Sequence, residues 1–229
     1  MQLLRVENLS EYVDLLTEDP EEIRALAEQF LINVTNFFRD PEVFQALEEA
    51  TIPRLFQGKE AEEDIRVWSV GCATGEEAYS LAILLTEEAA RRNTDLRMQI
   101  FASDLHDASL RQAREGFYPG EIEADVGQER LKRFFLKEDG GYRVREEIRE
   151  LVVFAPHDLL SDPPFSRLDL ILCRNVLIYL QRDVQQDVIG LFHYALRPNG
   201  ILAIGSSETI DPSGLFRQSP EKHPIYQRR

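Results

Sequence analysis

The chain is 229 residues long and carries 41 Asp and Glu against 26 Lys and Arg, a formal net charge of −15. That length suffices for one α/β domain with a sizeable core, and the acidic balance repels nucleic-acid phosphates, so no nucleic-acid partner is expected. No apolar run reaches the roughly 18 residues of a membrane span, the first residues lack a signal-peptide pattern, and two cysteines, Cys72 and Cys173, fit thiols in a reducing cytoplasm rather than a disulfide framework.

Residues 1–31 read as helical. Glu11 to Leu16 forms a short amphipathic turn, and Asp19-Pro20-Glu21-Glu22 is a helix start with Pro at the first helical position and acids in the first turn. Ile23, Leu26, Ala27, Phe30 and Leu31 then mark one apolar face. Residues 32–40 interrupt the pattern with Asn33, Thr35 and Asn36 ahead of the aromatic pair Phe37-Phe38, and by themselves fit a capped interhelical loop. Asp40-Pro41 opens the next helix, which turns Val43, Phe44 and Leu47 inward. The charged run over 57–64 reads as a solvated connector. The expected division is a helical segment over 1–50 and an α/β domain over 51–229.

Ile65 to Val70 is short, apolar and β-branched, a buried strand. Gly71-Cys72-Ala73-Thr74-Gly75 is a tight turn of small residues, and Ala78, Leu81, Ala82, Leu84 and Leu85 follow at helical spacing. Strand, glycine turn and helix start a nucleotide-binding unit: small residues let a ligand approach the backbone at Gly71, and the helix N-terminus offers free N–H groups. Met98 to Ser103 is a second strand ending in Asp104, the place where such folds hold ribose hydroxyls with a carboxylate. The dinucleotide fingerprint fits poorly, with Ala73 at the second glycine position and Glu76 at the third. Glu76 and Glu77 at the helix start would repel a pyrophosphate but suit a cationic ligand. S-adenosylmethionine, with its sulfonium and ammonium groups, is therefore preferred over NAD and an oxidoreductase reading.

Asp107 to Glu115 reads as a helix carrying Leu110 and Ala113 inward. Over 116–155 the βα alternation lapses. Leu131, Phe134, Phe135 and Leu136 suggest a helix, Gly140-Gly141 a turn, and Tyr142–Val144 and Leu151–Phe154 two strands, together a small inserted β element. The core resumes with the apolar strand Leu168–Cys173, then Arg174-Asn175 and Val176 to Leu180. A helix over Asp183–Leu196, a strand over Ile201–Gly205 and a closing hairpin at Ile225-Tyr226 complete the sheet. His106, His157, His193 and His223 lack metal-ligand spacing, so no metal site is expected.

Three separated segments, Asn33-Val-Thr-Asn-Phe-Phe-Arg39, Gly71-Cys-Ala-Thr-Gly-Glu-Glu-Ala-Tyr-Ser80 and Cys173-Arg-Asn-Val-Leu-Ile-Tyr-Leu180, resemble the chemotaxis-type protein-glutamate O-methyltransferases, the CheR family. His157 to Asp169 and Leu191 to Arg197 look most like the version fused to methylesterase and sensory domains. The resemblance implies a doubly wound, Rossmann-like methyltransferase sheet, a three-stranded insert near 116–155, and an N-terminal helical segment left from a larger helical domain. It implies that Asn33, Thr35, Arg39, Glu77, Asp104, Asp158, Leu159, Arg174 and Asn175 line S-adenosylmethionine, which leaves as S-adenosylhomocysteine. Arg39 and Tyr179 fall nearest the transferred methyl. The implied acceptors are glutamate carboxylates on chemoreceptor cytoplasmic helices or similar receptors. An arginine fork suits the holding of such a carboxylate. A module that binds the cofactor without turnover is the rival of a different class.

Overall fold

The computed structural model describes residues 12–13, 16–17, 19, 35–60, 63–210, 214–220 and 223–229. The chain divides into two compact units, 1–34 and 35–229. In the first, Tyr12, Val13, Leu16 and Thr17 are helical; the helix expected from Pro20 onward, and Asn33, lie outside the described residues.

The second unit opens with helix α1 (Pro41–Ala46), a π turn over Leu47–Thr51 and one further helical turn over Ile52–Leu55. Pro41 at the first helical position starts α1, and Val43, Phe44 and Leu47 are buried as their spacing requires. Strand β1 (Ile65–Val70), helix α2 (Glu76–Arg92), β2 (Met98–Asp104) and helix α3 (Asp107–Glu115) follow. Next come β3 (Phe117–Pro119), helix α4 (Gln128–Phe134), β4 (Phe135–Glu138), β5 (Gly141–Val144), β6 (Val152–Pro156), β7 (Leu168–Cys173), helix α5 (Arg182–Ala195), β8 (Leu196–Ile204), β9 (Phe216–Gln218) and β10 (Ile225–Arg228).

Seven strands form one sheet in the order β6-β2-β1-β7-β8-β10-β9. The first five run parallel, and β10 pairs antiparallel with both β8 and β9. β1 and β7 are covered on both faces, which is why they read as near-continuous apolar runs. Successive residues serve opposite layers. Val67, Leu170 and Leu172 enter one core with Leu81 and Leu85 of α2, whereas Trp68, Ile171 and Cys173 enter the other with Phe192 of α5. Trp68 is wholly buried and donates its indole N–H to Ser103 Oγ at 2.8 Å, so its polar atom is satisfied. The strand order reverses at β1, between β2 and β7, and the loops leaving their C-terminal ends meet there.

Several expectations are corrected. The strand expected at Leu151–Phe154 belongs to the main sheet: β6 pairs with β2 from Ile100↔Val152 to Asp104↔Pro156. The insert is the three-stranded sheet β3-β5-β4, built from a three-residue strand too short to show a period. Phe135 and Leu136, read as helical, turn out of α4 into β4. The strand at Ile201 begins earlier, at Leu196, with a register irregularity between Leu168 and Leu170 of its partner. β9, which no periodicity announced, and not the Ile225-Tyr226 strand, forms the sheet edge. Lys59, in the run read as solvated, has a buried ammonium that bonds Asp169 Oδ1 at 2.8 Å. The same carboxylate accepts from Arg197 and from the Arg66 N–H, fastening the connector beneath the sheet.

Candidate functional site

The glycine turn takes its shape from backbone constraints. Gly71 sits at φ +65°, and a Cβ there would lie 2.5 Å from Val176 Cγ2. Only glycine lets the loops after β1 and β7 come this close while its own backbone stays exposed. Gly75 at φ +95° starts α2, and its Cβ would meet Ala113 Cβ at 2.9 Å and the Phe154 ring. Between them Ala73 adopts φ +46°. Its N–H points at β2, where Asp104 Oδ2 accepts it at 2.8 Å and Oδ1 accepts the His106 N–H at 2.9 Å. Asp104 thus braces the turn from the neighbouring strand. Each of its oxygens keeps a lone pair for a further donor.

On the other side of the turn, Glu77 and Arg174 form a buried pair. Glu77 Oε1 accepts from Ser69 Oγ at 2.9 Å and Oε2 from Arg174 Nη1 at 3.1 Å. Burial pushes the Glu77 carboxyl up, an effect opposed first by the Arg174 charge and then by the Ser69 hydroxyl. Arg174 has a side chain 1% exposed, because it emerges from β7 directly beneath the segment at residues 36–40. Its Nη2 reaches the Arg39 carbonyl at 2.8 Å and Asp40 Oδ2 at 2.7 Å, and its fork lies over the Phe44 ring. Its Nε is buried without a hydrogen-bond partner among the described residues.

Arg39 is held by its backbone. Phe38 at φ +51° and Asp40 at φ +55° flank it in left-handed conformations, which non-glycine residues adopt only where the surroundings impose them. The Phe38 N–H donates to Ser80 Oγ on α2 at 3.0 Å. Phe37 packs on Tyr118 and Phe135 of the insert, and Arg130 of α4 stacks on the Phe38 ring. The half-buried Arg39 is near enough to Glu77 to lower its pKa.

The structure therefore brings Arg39, Glu77, Arg174 and Gly71 together, with Asp104 on the opposite rim of the same turn. Thr35 is half-buried at the start of the segment that carries Arg39. Asn175, at φ +59°, turns the chain after Arg174, and Tyr179 follows in a single 3₁₀ turn, 61% exposed. Asp158 is engaged within its own loop: it accepts from the Leu160 N–H and the Ser161 hydroxyl, each at 2.9 Å, and these bonds hold its carboxyl below the usual range. Leu159 packs against the α5 side of the sheet. Sequence reasoning missed Asp40, for which Asp-Pro at a helix start gave only a capping signal. It also missed Glu208, a buried carboxylate behind Asn175 whose sole trace was Gly205 at a strand end. Cys72 and Cys173 are both free thiols, and burial pushes both well up.

A doubly wound sheet of this strand order, with Asp104 ending the strand beside its glycine turn, has the architecture of the S-adenosylmethionine-dependent methyltransferase class. Residues 33–224 match the family model described as CheR methyltransferase, SAM binding domain, and the chain belongs to that family. It is 43% identical over 228 residues to an uncharacterized 104.1 kDa protein of Rhodobacter capsulatus, covering 99% of this chain and 24% of that relative. The chain thus spans about a quarter of that protein. It is 36% identical over 224 residues to chemotaxis protein methyltransferase 2 of Pseudomonas aeruginosa, covering 95% of this chain and 78% of the relative. With the chemotaxis protein methyltransferase of Listeria innocua the identity is 37% over 179 residues, 78% of this chain and 66% of the relative.

The residues present fit S-adenosylmethionine. The exposed Gly71 backbone can be approached by a ligand, and Asp104, at the end of the neighbouring strand, retains lone pairs for ribose hydroxyls. Among the described residues, no helix is long and apolar enough to cross a membrane and no group of His, Cys, Asp or Glu could hold a metal.

Proposed function

We propose that this chain methylates glutamate side chains of chemoreceptor-type proteins in the cytoplasm, forming methyl esters. The observation that carries the reading is the pair of arginines set into the turn of a protein with a net charge of −15. Arg174 is neutralised by Glu77 and Asp40, and it pins the backbone of Arg39 at the turn, where the Arg39 guanidinium is the group assigned to an incoming carboxylate.

When bound, S-adenosylmethionine supplies a methyl group carried on a sulfonium, and S-adenosylhomocysteine is the product. In this proposal Asp104 holds the ribose hydroxyls, the Gly71 turn lies against the cofactor, and Thr35, Asn33, Leu159, Asn175 and the loop braced by Asp158 surround it. Glu77 holds Arg174 in place. Arg39 orients the acceptor carboxylate bidentately, and the exposed Tyr179 hydroxyl offers it a second donor. A glutamate is already ionised at neutral pH, so the chain need not remove a proton. Its contribution is placement, for which effective-molarity effects reach roughly 7–11 kcal/mol. The relatives named chemotaxis protein methyltransferases support receptors as acceptors, and fusion to methylesterase and sensory domains is proposed as the setting of the module.

The test is transfer of labelled methyl to a panel of receptor cytoplasmic fragments. Label on at least one fragment, abolished when its glutamates are replaced by alanine, is the expected result. Binding of S-adenosylhomocysteine with no transfer to any fragment would favour a silent binding module.

A further inference from the structure

Glu208 is 4% exposed, and among the described residues it forms no ion pair with a Lys or Arg. A carboxylate so placed must have its lost hydration replaced by other donors. Here all the donors are backbone. Oε2 accepts the Gly205 N–H at 2.7 Å and the Asn175 N–H at 2.9 Å, and Oε1 accepts the Ile178 N–H at 3.3 Å. The Glu208 N–H in turn donates to the Gly205 carbonyl at 3.0 Å, closing a tight turn that folds the side chain back. The side chain therefore bridges the loops leaving β7 and β8, adjacent parallel strands whose last pair is Cys173↔Ile204.

Gly205 supports this independently. A Cβ at that position would lie 2.7 Å from Glu208 Oε2 and 3.1 Å from the Asn175 nitrogen. Only a residue without a side chain admits the carboxylate between the two loops. Asn175 at φ +59° is the corner that aims its N–H at Glu208. Three residues on, the Ile178 N–H is tied to the other oxygen, immediately before Tyr179, which has no burial of its own to fix it.

We infer that Glu208 is a positioning residue for the β7 loop: one oxygen sets Asn175 on the cofactor side, the other sets the turn that presents Tyr179 to the acceptor. This rests on the roles proposed above for Asn175 and Tyr179. The two oxygens make the halves separable. In Glu208→Gln the remaining oxygen takes the two shorter bonds and the amide group cannot accept from Ile178. In Glu208→Ala all three bonds are lost.

The first readout is amide hydrogen exchange in the ligand-free chain. Glu208→Gln should speed exchange at Ile178 at least tenfold and leave Asn175 and Gly205 within threefold. The second is a split between binding and turnover. Glu208→Gln should hold the S-adenosylhomocysteine Kd within twofold and lower kcat with a receptor fragment at least fivefold, while Glu208→Ala should also weaken Kd at least fivefold. Adding Tyr179→Phe to Glu208→Gln should cost no more than twofold beyond Tyr179→Phe alone. Unchanged exchange at Ile178, or wild-type kcat in Glu208→Gln when Tyr179→Phe is slow, overturns the inference. Wild-type kcat in Tyr179→Phe itself overturns the role given to Tyr179 and leaves Glu208 to be judged on exchange and Kd. If Glu208→Ala does not fold, Gly205→Ala, which displaces the carboxylate from the other side, takes its place with the same expected losses.

Discussion

Replacing Arg174 by methionine removes the cation from a buried pair while keeping most of the side-chain volume. Three things are lost together: the bond to Glu77 Oε2 at 3.1 Å, the bond to Asp40 Oδ2 at 2.7 Å and the bond to the Arg39 carbonyl at 2.8 Å. Asp40 can be reached by water, with a side chain 35% exposed, but Glu77 at 12% loses its direct ion-pair partner and keeps only the Ser69 hydroxyl and the Arg39 charge. Breaking a buried pair by deleting one partner costs about 3–5 kcal/mol, and that is the loss expected at pH 7.5. The loss must depend on pH. The Glu77 carboxyl is already raised by burial in the intact protein, so the folded state binds more protons than the unfolded one, and stability falls as pH rises from the ordinary glutamate value through the folded one. Without Arg174 the folded value climbs further, and the window in which stability is lost extends upward. At pH 5 the variant can keep Glu77 protonated and avoid the charge. Urea unfolding at pH 5.0 and 7.5 should show the gap between wild type and Arg174→Met smaller at the lower pH by at least about 1.4 kcal/mol, the equivalent of one pKa unit. Adding Glu77→Gln should recover at least half of the loss at pH 7.5. An equal gap at both values, or no recovery with Glu77→Gln, would refute the reasoning.

Asp104→Ala removes the acceptor of the Ala73 and His106 N–H groups as well as the proposed ribose contact; calorimetry with S-adenosylhomocysteine should show affinity reduced by about 1.5–3 kcal/mol in a folded variant. Arg39→Ala should lower kcat for methyl transfer at least about tenfold, or 1.4 kcal/mol of transition-state stabilisation, with the cofactor Kd changed less than about threefold. Gly71→Ala forces a Cβ to within 2.5 Å of Val176 Cγ2 and should destabilise by about 1–3 kcal/mol in chemical unfolding, a loss that Val176→Ala in the same chain should partly reverse.

What the sequence disclosed follows from the distance over which each interaction acts. β1, α3 and β7 fall on the residues expected for them, since burial on both faces made β1 and β7 apolar runs and the 107–115 helix carried its own inward Leu110 and Ala113. The turn at residues 71–75 and the place of Asp104 were legible because glycine and a strand-ending carboxylate are local signals. Lys59 was not, because its partner Asp169 lies 110 residues away and a charged run looks solvated until the fold closes on it. Glu208 was hidden for the same reason: its donors at Asn175 and Ile178 are backbone groups, which no side-chain pattern marks. By chain order β6 reads as part of the insert, since it follows β5, whereas its register with β2 is a tertiary choice.

The most direct measurement is the alkali sensitivity of the transferred label. Mild base hydrolyses a glutamate methyl ester to volatile methanol, whereas N-methyl groups survive. Receptor fragments labelled by this chain should release essentially all of their label as methanol. Label that stays on Lys, Arg or His after alkali would contradict carboxylate methylation.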